Sequence, residues 1–380
     1  MSADHESSTT QPPRARTAAN RLGLDYRAEA ARLGPPVVPI IDAHLHINGA
    51  RAARIFKQAR DLYGVTTVYS QSRIDQAEAV RDALDGDIRF VAVPRWMDPD
   101  RKHSHTEGFL ADIAEWRERF GSRMVKFWTA PRVRDIALQD CGDLNFFNLD
   151  SEWRQRQMKL ATDLGMMIMV HVADPDTWFA TRYKDASKYL EKKDHYRALE
   201  KLGDKYTQPW LLAHMAGWPE DLRFLDGLLS RHPNFVIDTS ATKWMVREIS
   251  KHPRTELLEF LEKHRGRVLF GSDIVAMDEH LGTAKNFEPG SPAATFAAQA
   301  GAEDEAFDLY ASRYWALRTM FETGYDGESP IADPDLAMVD PDRHDAMSAP
   351  RLSGKALPKD LLKVLYRDAC LNSLEKWWLS

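Results

Sequence analysis

Eight short apolar runs alternate along this chain with segments whose apolar residues recur at helical spacing, and that alternation narrows its fold more than any other feature. The runs are "VVPIIDAHLH", "GVTTVYS", "IRFVAVPRW", "RMVKFW", "GMMIMVHV", "PWLLAHM", "NFVIDTS" and "GRVLFGSD". Between them lie segments such as "EGFLADIAEWRERFG", "DSEWRQRQMKLATDLG" and "WPEDLRFLDGLLSRHPN", each ending near a Gly or Pro. Strands that are apolar on both faces belong in a parallel sheet covered by helices. Eight such units within roughly 250 residues match the (β/α)8 TIM barrel, an α/β fold. A doubly wound open sheet is the main competitor, but no Gly-rich phosphate loop follows any of the runs.

This reading divides the 380 residues into a flexible N-terminal tail over 1–36, a barrel over 37–323, and an irregular excursion over 324–380 closed by a C-terminal helix on the barrel. The opening "MSADHESSTTQPPRARTAAN" has no apolar signal core. A net charge of −6 without a basic cluster argues against nucleic-acid or membrane partners. No apolar stretch has the length of a membrane span. Only Cys141 and Cys370 are present, too few for a disulfide framework or a thiolate metal site. A cytoplasmic protein acting on a small molecule is expected, and the aromatic terminus "KWWLS" points to a homodimer.

Barrel chemistry sits at the C-terminal ends of the strands. There the runs carry His44 and His46 (first), Lys126 (fourth), His171 (fifth), His214 (sixth) and Asp273 (eighth). A buried polar group without a partner costs about 2–7 kcal/mol. Five strands are not expected to bear that cost separately, and a shared metal accounts for them together. The two-residue period of a strand puts His44 and His46 on one face, groups Met124, Lys126 and Trp128, and sends His214 inward with Leu212. Lys126, Trp128 and Arg132 are candidates for binding an aromatic or carboxylate-bearing substrate, with Arg134 on the same loop. Trp178, Phe179, Lys243 and Trp244 lie just beyond strands five and seven and are read as packing on the barrel. His103 and His105 in "DRKHSHTEG" follow no strand and are read as surface.

His-x-His on the first strand, single histidines on the fifth and sixth, and Asp on the eighth together resemble the amidohydrolase superfamily. "LLAHMAGWPEDL" and "LFGSDI" are similar to its branch that contains aminocarboxymuconate semialdehyde decarboxylase and related metal-dependent hydrolases. The resemblance runs from about residue 38 to 280 and resumes in "LPKDLLKVLYRDAC". It implies one divalent ion held by His44, His46, His171 and Asp273, with Asp273 also the general base and His214 a catalytic histidine beside it. Zinc is favoured, and Mn2+, Fe2+ or Co2+ would also suit these ligands. In two-metal members a lysine at the end of strand four is carboxylated and bridges the ions, which is a second reading for Lys126. The implied activity is metal-dependent hydrolysis of a small carboxylate-bearing or aromatic substrate. Non-oxidative decarboxylation, a lyase reaction, is the alternative, and a catalytically inactive binding barrel the third reading.

Overall fold

A computed structural model describes residues 16–380. Eight parallel strands follow in chain order: β1 (Ile40–Asn48), β2 (Val65–Ser70), β3 (Ile88–Phe90), β4 (Met124–Trp128), β5 (Met167–His171), β6 (Trp210–Leu212), β7 (Phe235–Asp238) and β8 (Val268–Leu269). A short β9 (Val275–Met277) pairs with His46–Asn48 of β1. Ladders join β3-β2-β1-β9 and β4-β5-β6-β7-β8. Hydrogen bonds cross both seams between these runs. Lys126 N–H donates to Ala92 O, and Ala92 N–H to Met124 O. On the other side Ala43 N–H donates to Phe270 O and Asp273 N–H to His44 O. The expected (β/α)8 architecture is the one observed.

Alternation sorts the strand residues into two cores. Ile40, Val68, Val125, Ile168, Leu212 and Ile237 pack outward against helices. Ile41, Met124, Met169, Leu211, Val236 and Leu269 fill the barrel axis below the strand ends. Leu212 therefore does not share the inward face with His214, as simple alternation would have it. β6 ends at Leu212, and the backbone turns left-handed at His214, Met215 and Ala216, with φ of 59°, 49° and 56°. Such conformations cost non-glycine residues of order 1–3 kcal/mol each, and surrounding contacts must hold them. Here His214 N–H donates to a buried carboxylate oxygen of Asp238 at 2.8 Å.

Part of the expected N-terminal tail is folded. Residues 1–15 lie outside the described residues, but Tyr26–Leu33 is a helix capped by the Asp25 carboxylate. Its Tyr26 and Ala30, one turn apart, are buried against the helix Glu303–Glu322, with Tyr26 and Trp315 rings 6.5 Å apart. An apolar stripe of two residues, too short to register as periodicity, is enough to dock it. His105 is also misread as surface. It ends the helix Arg101–His105, is 3% exposed, and packs between Trp96 and Phe147 at 4.9 and 5.1 Å.

Residues 359–378 form the C-terminal helical segment, with π-type turns at Val364–Asp368 and Leu371–Glu375. Ala369, Cys370 and Leu374 join the axial core and stopper the base of the barrel. Phe270 N–H donates to Leu365 O, and Tyr69 OH to Glu375 Oε1 at 2.8 Å. Trp377 donates to Gly165 O and Trp378 stands edge-on to Tyr69, so both rings are half-buried against their own chain. No helix among the described residues is long and apolar enough to cross a membrane.

Candidate metal centre and its cavity

At the C-terminal ends of the strands a cavity of about 620 Å³ opens above the axial core. His44, His46 and Asp273 meet on its floor. Asp273 Oδ1 lies 3.6 Å from His44 Nε2 and 3.3 Å from His46 Nε2. His44 is buried, whereas the side chains of His46 and Asp273 keep 33% and 27% exposure, so the group opens toward the cavity. Donor atoms about 2 Å from a tetrahedral zinc ion sit roughly 3.3 Å from one another. Asp273 Oδ1 already stands at about that distance from both imidazole nitrogens, all three donor atoms lie within 4.8 Å of one another, and the donor set fits a divalent ion.

The protonation of His44 suits a ligand. Its Nδ1 lies 2.9 Å from Asp238 Oδ2, and Lys126 Nζ lies 3.3 Å from its Nε2. Nδ1 therefore carries the proton and donates it to Asp238, leaving the Nε2 lone pair toward the cavity. A carboxylate behind a ligating histidine fixes its tautomer and raises its basicity. Burial, reinforced by Lys126, lowers the His44 imidazole to about 4, so it stays neutral. Burial also brings the Lys126 amine down to about 8, against the pull of Asp273 and Asp238.

Asp238 is the organising residue of this floor. Besides His44 it accepts backbone N–H bonds from His214 and Ser240 and the Ser240 hydroxyl. Burial opposes its charge, yet His44 and these donors hold the carboxyl well below the usual range. Ser240 Oγ bridges onward to His214 Nδ1 at 2.7 Å. His44, His214 and Asp238 also lie close enough to form a second metal-type group. These hydrogen bonds already occupy it.

His214 is 3% exposed, its ring 4.8 Å from that of His44 and 4.5 Å from that of His171. Burial and the neighbouring His171 push its imidazole well below the ordinary value. Burial disfavours a charged Asp273 as well, but His214, the hydrogen bond from His46, and His44 hold it ionised. His171 lines the cavity, although its Nε2 is bonded to Asp174 Oδ1 at 2.8 Å, and Asp174 Oδ2 accepts from Tyr183. The structure thus gathers three of the four expected ligands and sets the fourth beside them, engaged elsewhere. Asp42, one strand step before His44, points away from the site to the Ser272 and Tyr314 hydroxyls.

Of the candidate substrate residues, Lys126 and Trp128 line the cavity. Arg132 does not; it is exposed at the start of the helix Val133–Cys141. Arg134 is structural, bonded to Lys188 O, Asn145 and Asn148. Trp178, Lys243 and Trp244, expected to pack on the barrel, face the cavity instead. Both indole N–H groups donate to Asp335 Oδ2, at 2.8 and 3.1 Å, which fixes the two rings as a wall. Asp238, Ser240, Arg313 and Asp335 were not singled out in the sequence. Asp238 ends the apolar run "NFVID" as the other site residues end theirs, and that was its available signal.

No protein-family model and no curated protein matches the chain. Among solved structures it is similar to a dihydroorotase from Saccharomyces cerevisiae, with 12% identity over 91% of this chain and 85% of that one, at a TM-score of 0.47. It is also similar to an amidohydrolase from Burkholderia multivorans with bound zinc (13% identity, 88% and 99% covered, TM-score 0.38). A third similarity is to 5-carboxyvanillate decarboxylase from Novosphingobium aromaticivorans complexed with manganese (10% identity, 92% and 97% covered, TM-score 0.42). Likenesses this distant assign neither substrate nor reaction.

Proposed function

We propose that the protein is a metal-dependent hydrolase of the amidohydrolase type, acting on a small aromatic or carboxylate-bearing substrate. The observation that carries this reading is the convergence of His44 Nε2, His46 Nε2 and Asp273 Oδ1 at ligand spacing, with Asp238 fixing the His44 tautomer. His44, His46 and Asp273 would hold one divalent ion, and His171 would complete the set on releasing Asp174. When bound, such an ion supplies Lewis-acid polarisation and makes water more acidic.

The chain's own groups then divide the proton work. Asp273, ionised and facing the cavity, accepts the proton of an attacking water. With its Nδ1 donating to Ser240, His214 presents a lone pair at Nε2 and can relay a proton to the leaving group. Trp96, Trp128, Trp178 and Trp244 wall the cavity, exclude water from the substrate and offer ring faces to it. Lys126 beside His44 is placed to bind a carboxylate near the reacting bond.

That same buried cation also favours non-oxidative decarboxylation as the second reading, because it would hold the carboxylate that leaves as CO2. Metal-loaded protein supplied with aromatic esters, lactones, amides and β-keto acids separates the two by product mass, as added water or as lost CO2. Stoichiometric metal with no turnover across this panel would overturn the enzymatic reading and leave a binding barrel.

A further inference from the structure

Two cations of the cavity have no counterpart in the chemistry above. Arg313 comes from the helix Glu303–Glu322 and Lys243 from the helix Thr242–Ile249, and both line the cavity. Among the described residues neither has a carboxylate within ion-pair distance. The hydrogen-bond partners of Arg313 are Leu309 O and Ser312 Oγ on its own helix, both taken by Nη1, at 2.9 and 2.8 Å. Its Nε and Nη2 are left for something else.

The acids nearest Lys243 are committed elsewhere. Asp333 and Asp335 are bonded to Arg247, and Asp335 also accepts from Trp178 and Trp244. The strongest charges acting on Lys243 are those of Arg313, Asp333, Asp335 and Arg247. Burial lowers both cations, Arg313 to about 10, and Arg313 lowers Lys243 further. Two like charges desolvated together without an anion between them are unfavourable unless a ligand brings that anion.

We propose that Arg313 and Lys243 form a second anion-binding subsite in the cavity, which selects substrates carrying a carboxylate remote from the reacting bond. The planar guanidinium with two unused donor nitrogens matches a carboxylate edge, and Lys243 adds a point charge. The Trp178 and Trp244 rings beside it would hold the body of an aromatic diacid between this subsite and Lys126. This inference rests on the proposed function and names its substrate class as dicarboxylates.

The test needs no turnover. Isophthalate, terephthalate and naphthalene-2,6-dicarboxylate are titrated against benzoate and 2-naphthoate, by tryptophan fluorescence and calorimetry, on zinc-loaded and on chelator-treated protein. At least one diacid is expected to bind about tenfold or more tightly than its monoacid, in both forms of the protein. Arg313→Met should bring that ratio near one, and Arg313→Lys should restore part of it. Should Arg313→Met fail to fold, Lys243→Met on the same scale should reduce the ratio at least severalfold. A diacid advantage absent from the wild type, or undiminished in Lys243→Met and Arg313→Met, would overturn the proposal. Loss of the ratio only on chelation would assign the second carboxylate to the metal and equally overturn it. Elemental analysis of the same samples tests the metal centre separately.

Discussion

Lys126 Nζ and Asp238 Oδ2 sit against opposite nitrogens of the His44 imidazole, at 3.3 and 2.9 Å. One side of the ring is anchored by a carboxylate and the other faces a cation in the position a metal would share. The ligand nitrogen is thus prepared before any ion arrives, and the amine is its competitor.

Purified protein should contain about one divalent ion per chain, and His44→Ala/His46→Ala should contain almost none. Elemental analysis of the two reads this directly. Equal metal content would remove the centre from the mechanism.

Asp238→Asn keeps the shape of the side chain but not its charge, so the His44 tautomer loses its anchor. Metal affinity should fall about 10–100-fold, measured by competition with a chelator. A variant with wild-type affinity would show that Asp238 serves only the backbone turn at His214.

Lys126→Met removes the amine facing His44 Nε2. Metal content should stay at the wild-type level while KM rises or turnover on the best panel substrate is lost. If the change removes a second metal, and bicarbonate affects wild-type activity, Lys126 is a carbamate bridge rather than a substrate cation.

His214→Asn should retain the metal and the fold yet slow turnover by roughly 10²–10⁴-fold, the contribution of a positioned proton-transfer group. Its pH–rate profile should lose one limb. Metal loss as complete as in His171→Ala would instead make His214 a ligand.

Leu374→Ala in the base of the barrel should cost about 2–5 kcal/mol of stability, the range for a buried leucine truncated in a packed core. Denaturant unfolding at constant metal load measures it. A change below about 0.5 kcal/mol, the size of a surface substitution, would show that the helical stopper adds little.

The barrel and the floor of the site were legible because a lone His or Asp at the end of a run of Val, Ile, Leu and Met is conspicuous. His44, His46, His171, His214 and Asp273 all carry that signature, and all face the cavity. His214 is legible only in part, since alternation alone pairs it with the outward Leu212, and only a left-handed turn brings it inside. His105 was misjudged because charged neighbours made its stretch look like loop, while burial depends on Trp96 and Phe147 from other segments. Arg313 was illegible for a different reason. Its helix is buried on nearly every side, so charged positions within it do not mark a solvent face. Arg132 failed as a candidate because nearness in sequence to Trp128 does not carry a side chain around the next helix start.

The stopper formed by Ala369, Cys370 and Leu374 also fixes an order of events at the ribosome. Phe270, directly after β8, finds the Leu365 carbonyl that its N–H bonds in a segment translated well after all eight strands, so the axial core stays open below until Ala369, Cys370 and Leu374 have been made. Domains otherwise begin to fold from their N-terminal side as they emerge. Here a nascent chain holding all eight strands still lacks the piece that seals its apolar base. A chain cut short before Ala369 would therefore expose a barrel with an adhesive underside, and chaperone capture is expected to be strongest at that stage.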